Sequence, residues 1–107
     1  MVDRSIEQAV RQYIEAARKV GIDVRRVVLF GSYANGTADE WSDIDLVVIA
    51  PQFDGTPESR LIRRLWELRA ESDSRIEPIA CGEREWETDD ARPILEIARR
   101  EGIVIAA

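Results

Sequence analysis

Histidine is absent from this 107-residue sequence, cysteine occurs once, and only one of the 15 basic residues is a lysine. Cys81 has no partner for an internal disulfide, and a single cysteine without histidine supplies no closed zinc set. A reducing compartment fits that composition best. Long hydrophobic runs are missing too: no purely apolar stretch is longer than Leu46 to Ala50, far short of the roughly 20 residues that cross a bilayer. No charged-then-apolar leader opens the chain, so a soluble, cytoplasmic protein with no membrane contact is expected. Positive charge is also scarce. With 21 acidic against 15 basic side chains the formal charge is -6, which leaves no basic face for a long phosphate backbone, and no DNA or RNA backbone binding is expected. A single nucleotide is not excluded, because a divalent cation and a few backbone amides can hold it in an acidic protein. The arginines are scattered in a way that points to compositional bias rather than to oxyanion recognition.

A hydrophobic fraction of 45% over 107 residues suffices for one core, so residues 1–107 are expected to form a single domain. Ile6, Val10, Tyr13, Ile14 and Ala17 recur at three- and four-residue steps, the spacing of an amphipathic helix that Gly21 ends. Val24 and the run Val27 to Phe30 read as a buried strand stopping at Gly31. After a polar, turn-rich stretch, Ile44 to Ala50 reads as a second strand. Leu61, Ile62, Leu65, Trp66 and Leu68 return to helical spacing, and a third strand follows from Arg75 to Cys81. Asp89 or Asp90 is placed to cap a last helix with Pro93 in its first turn and Ile94, Leu95, Ile97 and Ala98 on its apolar face. Gly102 closes that helix, and Ile103 to Ala106 can add a short final strand. Near-alternation of helices and strands implies an α/β or α+β layered fold.

The stretch GSYANGTADEWSDIDLVVI, residues 31–49, carries the chemistry. On a strand, Asp43 and Asp45 project from one face while Ile44 points into the core. Two converging carboxylates repel unless a cation compensates them, and magnesium is the natural one, since it takes oxygen ligands and leaves positions for water and phosphate. Upstream, Gly31 and Ser32 follow directly on the first strand. A short helix starting there would aim free amides at an anion, Gly31 allowing close approach and Ser32 adding a hydroxyl. A Gly-Ser turn and an Asp-x-Asp pair are each commonplace, serving loops and solvent-facing caps. Joined by ten residues and opening an apolar strand, they are specific.

With this Gly-Ser, ten-residue gap and Asp-x-Asp, the sequence resembles the minimal nucleotidyltransferases of the DNA polymerase beta-like superfamily. The likeness extends over nearly the whole chain. It implies a nucleotidyltransferase fold, a mixed β-sheet with helices packed against it. It implies further that Gly31 and Ser32 contact the triphosphate of ATP or another nucleoside triphosphate, and that Asp43 and Asp45 hold two magnesium ions. A third carboxylate from a later strand completes the metal cluster in such enzymes and helps deprotonate the attacking hydroxyl; Glu77 is the matching position. Aspartate is more usual there, and a misplacement of about 1 Å can cost roughly 100-fold in rate, so the departure bears on turnover rather than on nucleotide binding. The alternative for Glu77 is an exposed strand residue.

Stand-alone domains of this size resemble the antitoxin half of toxin–antitoxin pairs, in which the nucleotidyltransferase adds AMP to a tyrosine of a HEPN-domain ribonuclease. That resemblance implies a protein acceptor. Two other functions compete with it. The chain could neutralise its partner by contact, binding nucleotide without turnover, or it could modify a small molecule such as an aminoglycoside, for which no acceptor domain is visible. Glu83, Glu85 and Glu87 read as a solvated face, Trp66 as a core residue, and Trp41 as a cover for its loop or a stacking residue. Trp86 is a candidate partner contact.

Overall fold

The computed structural model describes residues 2–89 and 91–106. The first helix, α1 (Arg4–Lys19), is capped by Asp3, whose Oδ1 accepts the Ser5 amide at 2.7 Å. Its five-residue apolar stripe from Ile6 to Ala17 is wholly buried, as the spacing predicts. Among the described residues, four strands follow the chain order β1 (Arg26–Phe30), β2 (Ile44–Ile49), β3 (Ile76–Cys81) and β4 (Ile103–Ala106). They form one sheet in the order β3-β2-β1-β4. β1 runs antiparallel to both β2 and β4, whereas β2 and β3 are parallel, so the sheet is mixed. The β2–β3 crossover carries α3 (Ser59–Glu67); the short α2 (Ser32–Asn35) joins β1 to β2, while α4 (Glu83–Thr88) and α5 (Pro93–Glu101) lead from β3 to β4.

Period-two alternation sends the strand residues to two cores. Val27, Leu29, Ile44, Leu46, Val48 and Ile76 pack with α1 and with Leu65 of α3. Val28, Phe30, Val47, Ile49 and Cys81 face the other way, against Leu95 and Ala98 of α5. That second layer is the smaller. On β3, the carbonyls of Arg75 and Cys81 accept the Ile44 and Ala50 amides, so by alternation Pro78 presents its missing N–H to the open edge, where it disrupts no ladder bond.

Several sequence-based expectations are corrected here. Trp66 is 42% exposed rather than in the core; it follows buried Leu65, so it is turned about 100° around the helix from that residue, and the Arg69 guanidinium lies 5.0 Å from its ring centroid. Ile97 is likewise exposed, because Leu95 and Ala98, with half-buried Ile94 beside them, make the inner face of α5. The stretch expected as a solvated acidic face contains α4. Glu85 turns back to accept the Gly82 amide at 3.0 Å, and the Asp54 carboxylate accepts the amides of Arg84 and Glu85. Asp89 does not cap α5. Arg92 precedes it, Asp89 accepts the Ala91 amide instead, and Asp90 lies outside the described residues. Trp86 is half-buried, packing on the second core with the Arg99 guanidinium 5.0 Å from its ring.

Candidate functional site

Strand register brings the motif together. Phe30 pairs with Asp45 across β1 and β2, and Asp45 pairs with Glu77 across β2 and β3. The end of β1, the start of β2 and the start of β3 thus meet at one end of the sheet. Asp45 and Glu77 share the face that α5 covers further along, at Ile49 and Cys81. Beyond that cover both carboxylates are half-buried.

Gly31 leaves β1 with φ 76° and ψ -152°, a region open essentially to glycine alone. A Cβ there would overlap Asp45 Oδ2 and stand 3.3 Å from Asp45 Cγ. The absent side chain is what lets the turn lie against the carboxylate. Directly after it, α2 begins at Ser32; the Gly31 carbonyl accepts the Ala34 and Asn35 amides at 3.0 Å each. The leading amides of Ser32 and Tyr33 are those that helix geometry leaves without an intrahelical acceptor.

Asp43 is exposed one residue before β2, Ile44 is completely buried in the core, and Asp45 lies on the opposite face. Burial raises the Asp45 carboxyl above its ordinary value, and the nearby charges of Glu77 and then Asp43 push it further the same way. A cation would relieve that strain. Among the described residues, no three histidine, cysteine, aspartate or glutamate side chains form a group able by itself to hold a metal ion. A divalent cation held at Asp43 and Asp45 would accordingly need further oxygen ligands from phosphate and water, the kind of site magnesium takes.

Three participants escaped the sequence reading. Arg75 donates through Nη1 to Tyr33 Oη at 2.9 Å, and Tyr33 Oη donates to the Asp39 carbonyl at 3.1 Å. Asp39 in turn orders the connection ahead of Asp43, its Oδ1 accepting the Trp41 amide at 2.8 Å and its own amide donating to Ser42 Oγ at 2.9 Å. An aspartate with a serine three residues on is a readable turn signal. The Arg75–Tyr33 contact has none, since 42 residues separate the pair. Trp41, read partly as a cover for the loop, is 84% exposed and covers nothing. A 250 Å³ hollow lined by Arg25, Arg26, Ile49 and Trp86 lies at the far end of the sheet, where Arg26 pairs with Ile49.

Comparison with known proteins gives the family and the fold. Residues 10–100 match the family described as the nucleotidyltransferase domain. A candidate protein adenylyltransferase of Methanocaldococcus jannaschii is 38% identical over 64 residues, 59% of this chain. That alignment spans only 42% of the relative's own length. A crystal structure of a candidate nucleotidyltransferase from Sulfolobus solfataricus shares the fold with a TM-score of 0.59 at 15% identity, covering 97% of this chain and 87% of that one. A toxin–antitoxin crystallised with AMP-PNP superposes with a TM-score of 0.63 at 24% identity, over 92% of this chain and 71% of that one.

Proposed function

Because this chain belongs to the nucleotidyltransferase domain family, we propose that residues 1–107 act as one minimal transferase domain that moves AMP from magnesium ATP to a hydroxyl of a partner protein. The partner in this reading is a HEPN-domain toxin, which makes the chain a cytoplasmic antitoxin. The observation that carries the proposal is the contact of the Gly31 turn with Asp45, beside Glu77, at one open end of the sheet.

In the proposed reaction Gly31 and Ser32 receive the terminal phosphates through backbone amides and the serine hydroxyl. Magnesium, held by Asp43, Asp45 and Glu77 together with triphosphate oxygens, would neutralise charge developing at the α-phosphate. The acceptor oxygen bonds to the α-phosphorus as the bond from that phosphorus to the bridging oxygen breaks. Pyrophosphate leaves, and the acceptor proton passes to the Glu77 carboxylate. Two likenesses support a protein acceptor and an adenine nucleotide: the Methanocaldococcus relative is a candidate protein adenylyltransferase, and AMP-PNP, found with the toxin–antitoxin neighbour, is an ATP analogue.

Incubation of the chain and a HEPN-domain partner with α-labelled ATP and magnesium should label the partner, and Asp43→Asn or Asp45→Asn should abolish the label. Glu77, longer than the usual aspartate, favours a second reading in which the chain binds nucleotide but neutralises its partner by contact. No label from any of the four nucleoside triphosphates, with the partner still inhibited by the Asp45→Asn variant, would decide for that reading.

A further inference from the structure

Arg75 precedes β3 by one residue and Glu77 by two. Its backbone carbonyl accepts the amide of Ile44, the residue between Asp43 and Asp45, at 2.9 Å. Its guanidinium forks. Nε and Nη2 donate to the two Asp73 carboxylate oxygens at 3.0 and 2.8 Å, while Nη1 reaches Tyr33 Oη. Tyr33 is the residue after Ser32, and its hydroxyl passes the connection on to Asp39, within the segment that delivers Asp43. One side chain therefore ties together the three segments bearing the turn, the aspartate pair and Glu77. Asp73 occupies the other two donors of the fork and keeps Nη1 aimed at Tyr33. Tyr33 packs half-buried against the first core, whereas Arg75 and Asp73 lie outside both.

We propose that Arg75 is a positioning residue for the transferase site, setting the Gly31–Ser32 turn against Asp45 and Glu77 through Tyr33. The inference rests on the nucleotidyltransferase reading above. Arg75 acts without touching the nucleotide, so its shape matters more than its charge. A lysine ammonium cannot bridge the Asp73 carboxylate in bidentate fashion and still reach Tyr33.

The test is calorimetric titration of the full chain with ATP and magnesium, alongside thermal denaturation of each variant. Arg75→Met and Tyr33→Phe should each weaken binding about tenfold, the effect of losing a charge-assisted hydrogen bond. The double variant should be no worse than the weaker-binding single, because the two act as a unit. Arg75→Lys should stay near Arg75→Met. Arg60→Met, which breaks only the exposed pair with Glu58, should bind as the unaltered chain does. Rescue by Arg75→Lys would mean direct charge contact with phosphate and would overturn the proposal. So would lower melting temperatures with nucleotide affinity unchanged within twofold. Tyr33→Phe keeps the test decisive should Arg75→Met fail to fold. If the unaltered chain binds none of ATP, CTP, GTP and UTP with magnesium, the transferase reading falls and this inference with it. Binding that Asp45→Asn abolishes but Arg75→Met and Tyr33→Phe spare refutes the inference alone.

Discussion

Replacing Gly31 by alanine tests the central contact of the site. Two penalties are built into that position. The backbone, at φ 76° and ψ -152°, lies where a residue with a Cβ costs about 1–3 kcal/mol. The new methyl would also overlap Asp45 Oδ2 and stand 3.3 Å from Cγ, so the carboxylate must retreat by about 1 Å to reach ordinary van der Waals separation. Displacement of that size at a reacting centre can cost roughly 100-fold in rate. Gly36 supplies the control: its φ is 75°, yet a Cβ there meets nothing within 4 Å. Gly36→Ala should lose about 1–2 kcal/mol of stability by the left-handed backbone alone and keep its activity. Urea denaturation gives the stability of each variant, and transfer of α-labelled AMP to the partner gives the rate. Equal transfer rates for the two folded variants would refute the contact as the organiser of the site.

Asp45→Asn should stabilise the chain near pH 7, at about neutral conditions without magnesium. The carboxyl is raised above 3.8 in the folded state by burial and then by Glu77 and Asp43; the folded chain therefore binds its proton more tightly, and stability falls as pH rises from 3.8 through the folded value. The asparagine advantage should be full above that window and absent below 3.8, read from urea midpoints across pH. Cys81 is fully buried, and burial, followed by the Glu85 charge, pushes its thiol up to about 12. It should resist iodoacetamide at about pH 8 in the native protein and react once denatured. Rapid native labelling would contradict that burial. Tyr13→Phe removes the hydroxyl that donates to the Leu65 carbonyl at 2.6 Å and joins α1 to α3. A loss of about 1 kcal/mol should appear in the unfolding free energy with nucleotide binding unchanged.

How much of this was legible beforehand varied with the range of the interaction. The stripe on α1, the apolar runs of β1 and β2 and the glycine after β1 were readable because helix and strand periods are local properties. Trp66 and Ile97 misled for the complementary reason: a helix has more apolar positions than its partner covers, and only the packed neighbour determines which remain exposed. The helix α4 was hidden in an acidic run whose capping carboxylate, Asp54, lies 31 residues from the Glu85 amide it accepts.

For the site, the sequence by itself determined the chemical groups and their local order: a glycine-serine turn, ten residues, and two aspartates on either side of a buried isoleucine. That order carries the resemblance to the nucleotidyltransferases, and the family match over residues 10–100 bears it out. The tertiary structure alone decided the meeting of Asp45 with Gly31 and Glu77 and the bracing of Tyr33 by Arg75. Those contacts depend on strand order and register, which arise when the two cores close around the sheet, and no local spacing records a pairing made across 32 residues, as Asp45 with Glu77, or across 42, as Tyr33 with Arg75.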